Sequence, residues 1–181
     1  MKRVIPIRDK EKIREFKQAL IAKNERNYIL FMIGTNAGLR VSDILPLRVR
    51  DVKGEYLEVI EQKTGNVRDI PINDSLRRAI DRYIKGKKDN EYLIRSREGG
   101  NKPISRWMAY KILREAAEEV GLTRIGTHSM RKTFGYNYYQ RTKDIETLCK
   151  MLGHSDSQIT KRYIGIEDDF IREQYIKHTN I

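Results

Sequence analysis

"EYLEVIEQKTGNVRDIPI", residues 55–72, is where the periodicity of this chain changes. "EYLEVIEQ" and "VRDIPI" read as two strands, and "KTGN" (Lys63–Asn66) reads as the turn that joins them. The segment just before, "LRVRDV" (Leu47–Val52), is compatible with a third strand. Outward from this region, in both directions, apolar residues recur at helical spacing.

Upstream, Asp9 reads as the N-cap of a first helix that buries Ile13, Phe16 and Leu20. A second helix, about Arg26 to Ala37, is apolar nearly all round and is expected to be buried, with Gly38 as its stop. Ser42 reads as the cap of a short third helix limited by Pro46. Downstream, Leu76, Ile80, Tyr83 and Ile84 return to helical spacing. Glu91–Ile94 is a short extended piece, followed by the basic loop "RSREGGNKP". Ser105 caps a helix through Val120. Further helices are expected at about Thr127–Arg141, Lys143–Leu152, Ser157–Tyr163 and Asp168–His178. The fold class is therefore α+β, mainly α-helical with a small antiparallel β-sheet. The whole chain, residues 1–181, reads as a single domain.

Lys and Arg number 37 against 25 Asp and Glu, a net charge of +12. Such an excess favours a polyanionic partner, nucleic acid first; a solvated basic surface is the plain alternative. The single cysteine, Cys149, excludes an internal disulfide and suits a reducing compartment. "MKRVIPIRDKEKIREF" lacks the apolar stretch of a secretory signal, and no apolar run approaches the ~20 residues of a membrane span. The expectation is a cytoplasmic, DNA-associated protein with no membrane contact.

Several residues could carry chemistry. In "THSMRKTFGYNYY", His128 and Arg131 share a helix face; arginine offers a planar fork of donors to phosphate, and histidine moves protons near neutrality. HxxR also arises by chance on solvated faces. Arg40 follows a helix-ending "AGL" and either enters a cleft or pairs with Asp43. Lys63 at a hairpin tip can deliver an ammonium to a groove, or simply keep the turn soluble. In "LGHSDSQITKRYIGI", a helix after His154 carries Tyr163 back towards it. A tyrosine with an ordinary pKa near ~10 needs cations or a base to act as a nucleophile. Ten tyrosines are present, so position alone does not select this one. The three histidines and one cysteine have no zinc spacing, "EDD" (Glu167–Asp169) suits a helix start, and no P-loop motif occurs, so no cofactor or metal is expected.

Taken together and in order, "AGLRVSDILPLRVRDV", "QKTGNVRDIPI", "THSMRKTFGYNYY" and "LGHSDSQITKRYIGI" resemble the catalytic domain of tyrosine recombinases, the phage-integrase type. The resemblance spans nearly the whole chain. It implies that domain's fold and a site-specific recombinase that cleaves and rejoins DNA through a covalent 3′-phosphotyrosyl bond. Arg40 and Arg131 would clamp the scissile phosphate. Lys63 would protonate the leaving 5′-oxygen, and His128 would receive the tyrosine proton. His154 would hydrogen-bond a phosphate oxygen, and Tyr163 would attack. Arg95, Arg97, Lys102, Arg106 and Lys132 are expected to contact double-stranded DNA. The resemblance further implies a homotetramer on DNA, assembled through the C-terminal segment after Ile166.

Two departures qualify this picture. Asp43 stands where the family commonly has glutamate. The helical core-binding domain that usually precedes the catalytic domain is expected to be missing here, the chain being either a minimal recombinase or a catalytic fragment, and a separate core-binding or accessory protein is a candidate partner. An inactive DNA-binding accessory protein and a type IB topoisomerase-like nicking and resealing enzyme are the rival readings.

Overall fold

The computed structural model describes residues 3–179. Helix α1 (Lys10–Lys23) starts where the Asp9 carboxylate accepts the Glu11 and Lys12 N–H groups. Helix α2 (Glu25–Asn36) follows after Asn24, and buries the run Ile29–Gly34. The Phe16 and Phe31 rings meet at 4.9 Å between centroids and lock the two helices together. Gly38 then turns the chain at φ +64, a region that favours glycine.

Helix α3 is only Val41–Ile44, and its cap is Arg40, not Ser42. Ser42 lies inside the turn and bonds its neighbour Asp43 at 3.3 Å. The expected third strand is not formed. Residues Val49–Val52 make a 3-10 turn because the Asp51 carboxylate accepts the Arg48 N–H at 2.7 Å. Val49 and Val52, three apart, are then both fully buried, which strand alternation would forbid.

Strands β1 (Tyr56–Ile60) and β2 (Val67–Pro71) pair antiparallel in the register Tyr56↔Pro71 through Ile60↔Val67. Leu57 and Val59 point into the core, while Ile60 and Val67 stay exposed. Helix α4 (Asp74–Ile84) is capped by Asn73. Glu91–Ile94 is not a strand; two isolated bridges, Arg48↔Tyr92 and Arg95↔Pro103, flank a turn there. Helix α5 (Arg106–Glu119) is capped by Ser105.

The C-terminal third is α6 (Thr127–Thr142), α7 (Ile145–Leu152), α8 (Ser157–Ile164) and α9 (Ile166–His178). Lys143 is a left-handed link rather than a helix start, so α7 begins later than expected. Gly165, at φ +85, separates α8 from an α9 that begins earlier than expected.

A main core joins α1, α2, α4, α5 and the inner face of the hairpin. A smaller cluster, Leu148, Leu152 and Ile164, holds α7 and α8 against Phe134 and Tyr138 of α6. Gly135 makes this closeness possible: a Cβ there would sit 2.7 Å from Ile164 Cγ2. Helix α6 therefore serves both clusters and sets α8 relative to the rest. Among the described residues no helix is long and apolar enough to cross a membrane.

Candidate active site

Helix α6 supplies the centre of the site. His128 lies in its first turn, and Arg131 follows on the same face. The Arg131 side chain is buried, so its donors must find acceptors. Nη1 donates to the Gly38 carbonyl at 2.6 Å, and Nη2 donates to the Leu152 carbonyl. Arg131 thereby joins the end of α2 to the end of α7. Burial, and then the neighbouring Arg40 charge, hold it down to about 10, still a cation at neutral pH.

Arg40, His128 and Arg131 line one cleft of about 180 Å³, together with Val41, Ser42, Arg106 and Thr127. Arg40 Nη1 is 3.9 Å from Asp43 Oδ2. Asp43 is buried, and its Oδ1 accepts the Gln62 N–H at 3.0 Å, which ties the end of β1 to α3. Burial lowers the His128 pKa, and the Lys132, Arg131 and Arg40 charges lower it further. The imidazole is thus neutral at neutral pH, the form that accepts a proton.

Helix α8 brings Tyr163 close enough to Arg131 for the guanidinium charge to act on its phenol. The His154 and Tyr163 rings meet edge to face at 5.1 Å. His154 Nδ1 lies 2.9 Å from the hydroxyl of Thr160, which is fully buried. Burial, then the Arg131, Arg40 and Lys63 charges, press His154 down to about 4.

The Tyr163 hydroxyl is buried and, among the described residues, makes no hydrogen bond of ordinary geometry; Asp43 Oδ2 is in the same condition. Burial raises the phenol and outweighs the Arg131 and Arg40 charges that oppose it. The nearby cations alone would leave Tyr163 more acidic than usual. Desolvation reverses that sign.

Lys63 is exposed in the turn after β1, and its charge reaches His154. Arg68, which the sequence reading passed over, anchors this hairpin. Its Nη1 donates to Glu61 at 2.8 Å and its Nη2 to the Met151 carbonyl at 3.1 Å. Burial would raise the Glu61 carboxyl, but hydrogen bonds from Arg68 and Thr64, with the Arg68 and Arg40 charges, hold it below the usual range. Thr160 was also missed, although it sits one helical turn before Tyr163 and so shares its face.

The expected DNA contacts divide. Arg95, Arg97 and Lys102 lie exposed in or beside the loop before α5, away from the cleft, with Arg95 paired to Glu91 at 3.0 Å. Arg106 reaches the cleft itself. Lys132 differs from all of these. It is 5% exposed, and its ammonium sits 5.0 Å from the centroid of the Tyr163 ring.

The N-terminal segment braces α8 and α9. Ile7 donates its N–H to Thr133 Oγ1 at 2.9 Å. Arg3 then bonds the Arg162 carbonyl, and Arg8 pairs with Asp169. Beyond these contacts α9 buries none of its residues. Phe170, Ile171, Tyr175 and Ile176 are 61%, 48%, 65% and 60% exposed, an unusually apolar surface for so polar a chain.

Comparison with known proteins gives this arrangement a context. The sequence profile of the phage integrase family matches residues 8–169. The chain is 54% identical over 173 residues to the probable integrase/recombinase YoeC of Bacillus subtilis, covering 95% of each. It is 32% identical over 160 residues to tyrosine recombinase XerA of Pyrococcus horikoshii, covering 84% of this chain and 55% of that protein. The crystal structure of XerA recombinase superposes with a TM-score of 0.76 at 19% identity, over 99% of this chain and 65% of that one. A lambda integrase dimer bound to a COC' core site gives 0.71 at 20% identity, over 91% and 60%. These structural likenesses concern the fold. The chain spans almost all of YoeC but only about half of the XerA protein. The profile match and the sequence identities place it plainly: the chain belongs to the phage integrase family, the tyrosine recombinases.

Proposed function

We propose that this chain cuts and rejoins double-stranded DNA at specific sites through a phosphotyrosyl bond on Tyr163. The observation that carries the reading is the convergence on Arg131. Arg40 and His128 share its cleft, its charge acts on the Tyr163 phenol, and the Tyr163 and His154 rings meet with centroids 5.1 Å apart. Two guanidinium groups in one cleft suit a phosphate whose negative charge grows in the transition state.

In the cleavage step the Tyr163 oxygen attacks phosphorus and the bond from phosphorus to the 5′-oxygen breaks. The phenol proton passes to neutral His128. Lys63 gives a proton to the departing 5′-oxygen, leaving a 5′-hydroxyl and a 3′-phosphotyrosyl bond. A second 5′-hydroxyl attacks that bond, releases Tyr163 and restores a phosphodiester. No energy source is consumed, because the covalent bond retains the energy of the one it replaced.

The raised phenol fits this scheme. Tyr163 is protonated at neutral pH, so a base must take its proton as it attacks. His154, held by Thr160, is placed to donate to a phosphate oxygen. Arg106 beside the cleft, and Arg95, Arg97 and Lys102 in the preceding loop, are positive surface along which a duplex can lie. A structural relative is a lambda integrase tetramer bound to a Holliday junction. The apolar face of α9 is suited to dock on a neighbouring copy in such an assembly. A separate core-binding or accessory protein would supply a second grip on the duplex.

The test is covalent capture. Duplexes nicked near candidate sites are mixed with the chain in EDTA and run on a denaturing gel beside Tyr163→Phe. A protease-sensitive adduct lost in the variant supports the reading. An adduct that needs a divalent metal, or that persists without Tyr163, opposes it.

A further inference from the structure

Lys132 lies outside the six residues of the scheme above. It follows Arg131 on α6 but turns to a different neighbour. Its ammonium is 5.0 Å from the centroid of the Tyr163 ring, and the residue is almost wholly buried. A phosphate-contacting lysine needs a path to solvent and a flexible stem. This one is instead packed beneath α8.

The charged groups around it come from four elements. On α6 itself, His128 lies one turn earlier, and Lys132 helps keep that imidazole neutral. From α8 comes the Tyr163 ring. From α9 comes Asp168, and from the N-terminal segment Arg3, which lies 3.9 Å from Asp168. Burial, then Arg3, press the lysine down to about 8, while Asp168 pulls it back up.

We propose that Lys132 is a positioning residue for the nucleophile: its ammonium holds the Tyr163 ring by its face and steadies negative charge as the phenol ionises. The inference rests on Tyr163 being the nucleophile. A cation over an aromatic ring binds the ring's negative face, and it binds more strongly once the ring carries phenolate charge. A buried ammonium does this better than an exposed one, because less water screens it. The same charge keeps His128 free to accept the proton. Asp168 on α9 is the counter-charge, so the C-terminal helix bears on the electrostatics beneath the tyrosine as well as on assembly.

The sign of the pH dependence follows. Lys132 is charged below about pH 8 and loses its proton above it. Its benefit is therefore full near neutrality and fades as the pH rises through that value.

The test compares the intact chain with Lys132→Met, which keeps the length and loses the charge, and Lys132→Arg, which keeps the charge. The first readout uses no DNA: 19F NMR of protein labelled with fluorotyrosine, the Tyr163 resonance assigned through Tyr163→Phe. The second is the rate of adduct formation on a nicked duplex, with duplex affinity measured alongside. Lys132→Met is expected to move the Tyr163 resonance and slow the adduct about ten-fold near neutral pH, with affinity within about two-fold of the parent. Lys132→Arg is expected to restore most of the rate, and the gap between parent and Lys132→Met to narrow above about pH 8.

An unmoved resonance, or an unchanged rate, overturns the proposal. A loss of affinity in step with the rate also overturns it, and makes Lys132 a phosphate contact. If the parent itself forms no adduct, the recombinase reading fails while the resonance still decides whether Lys132 governs Tyr163.

Discussion

The Arg131 guanidinium donates a 2.6 Å hydrogen bond to the carbonyl of Gly38, 93 positions earlier in the chain. Its other arm bonds the Leu152 carbonyl, just before the loop that carries His154. One buried cation thus positions the segment bearing Arg40 and the segment bearing His154. Arg131→Lys cannot span both carbonyls, since an ammonium lacks the fork. Urea denaturation is expected to show a loss of about 2 kcal/mol, and adduct formation is expected to fall at least ~100-fold. Arg40→Lys is expected to match that loss of rate with little loss of stability, because the ion pair of Arg40 with Asp43 is long, at 3.9 Å. Equal stability losses in the two variants would contradict this division.

His154 gives a pH prediction. It is held at about 4 by burial and by the surrounding cations, whereas an unfolded histidine titrates near ~6.5. Between those values the unfolded chain binds a proton that the folded chain refuses. The stability linked to this group is full above about pH 6.5 and is lost as the pH falls towards 4. The C2 proton of His154, assigned through His154→Gln, should titrate in NMR well below those of an unfolded histidine. The His154→Gln chain should lose less stability across that window than the parent.

Thr160 offers a change of nearly constant shape. Its hydroxyl lies 2.9 Å from His154 Nδ1, and the residue is fully buried. Thr160→Val leaves a half-buried ring nitrogen without its partner. A stability loss of about 1–2 kcal/mol and an adduct rate lowered about ten-fold are expected, with Thr160→Ser recovering the rate. If Thr160→Val reacts as fast as the parent, His154 is not held through this bond.

Helix α9 allows assembly and folding to be tested separately. Past Ile166, which packs on the small cluster, its residues Phe170, Ile171, Tyr175 and Ile176 are exposed, and surface ion pairs such as Arg8–Asp169 tie it to the rest of the chain. Surface pairs contribute about 0–1 kcal/mol each. Phe170→Asp, or truncation after Ile166, should therefore shift Tm by only a few degrees. Native gels on DNA should show fewer higher-order complexes. A large fall in Tm with unchanged assembly would mean that α9 serves its own domain.

Much of this molecule was legible in the sequence because its signals are local. Asp9 and Ser105 cap the helices expected after them, and the hairpin lies where the period changes. The misreadings have tertiary or side-chain causes. "LRVRDV" has strand composition, but the Asp51 bond to Arg48 curls it into a turn. The burial of Lys132 against the Tyr163 ring was not legible either, because linear charge says nothing about which neighbour covers a side chain. The direction of the Tyr163 shift depended on burial, which a list of nearby cations does not contain. Arg68 and Thr160 escaped notice because their partners, Met151 and His154, are fixed only once the helices pack.

The most direct measurement is mass spectrometry of the trapped adduct after nuclease and trypsin digestion. Cleavage after Arg162 and Arg172 isolates a peptide that begins at Tyr163. A residual nucleotide linked through its 3′-phosphate to Tyr163 on that peptide is expected. A nucleotide found on Tyr175, or on any serine, would contradict it.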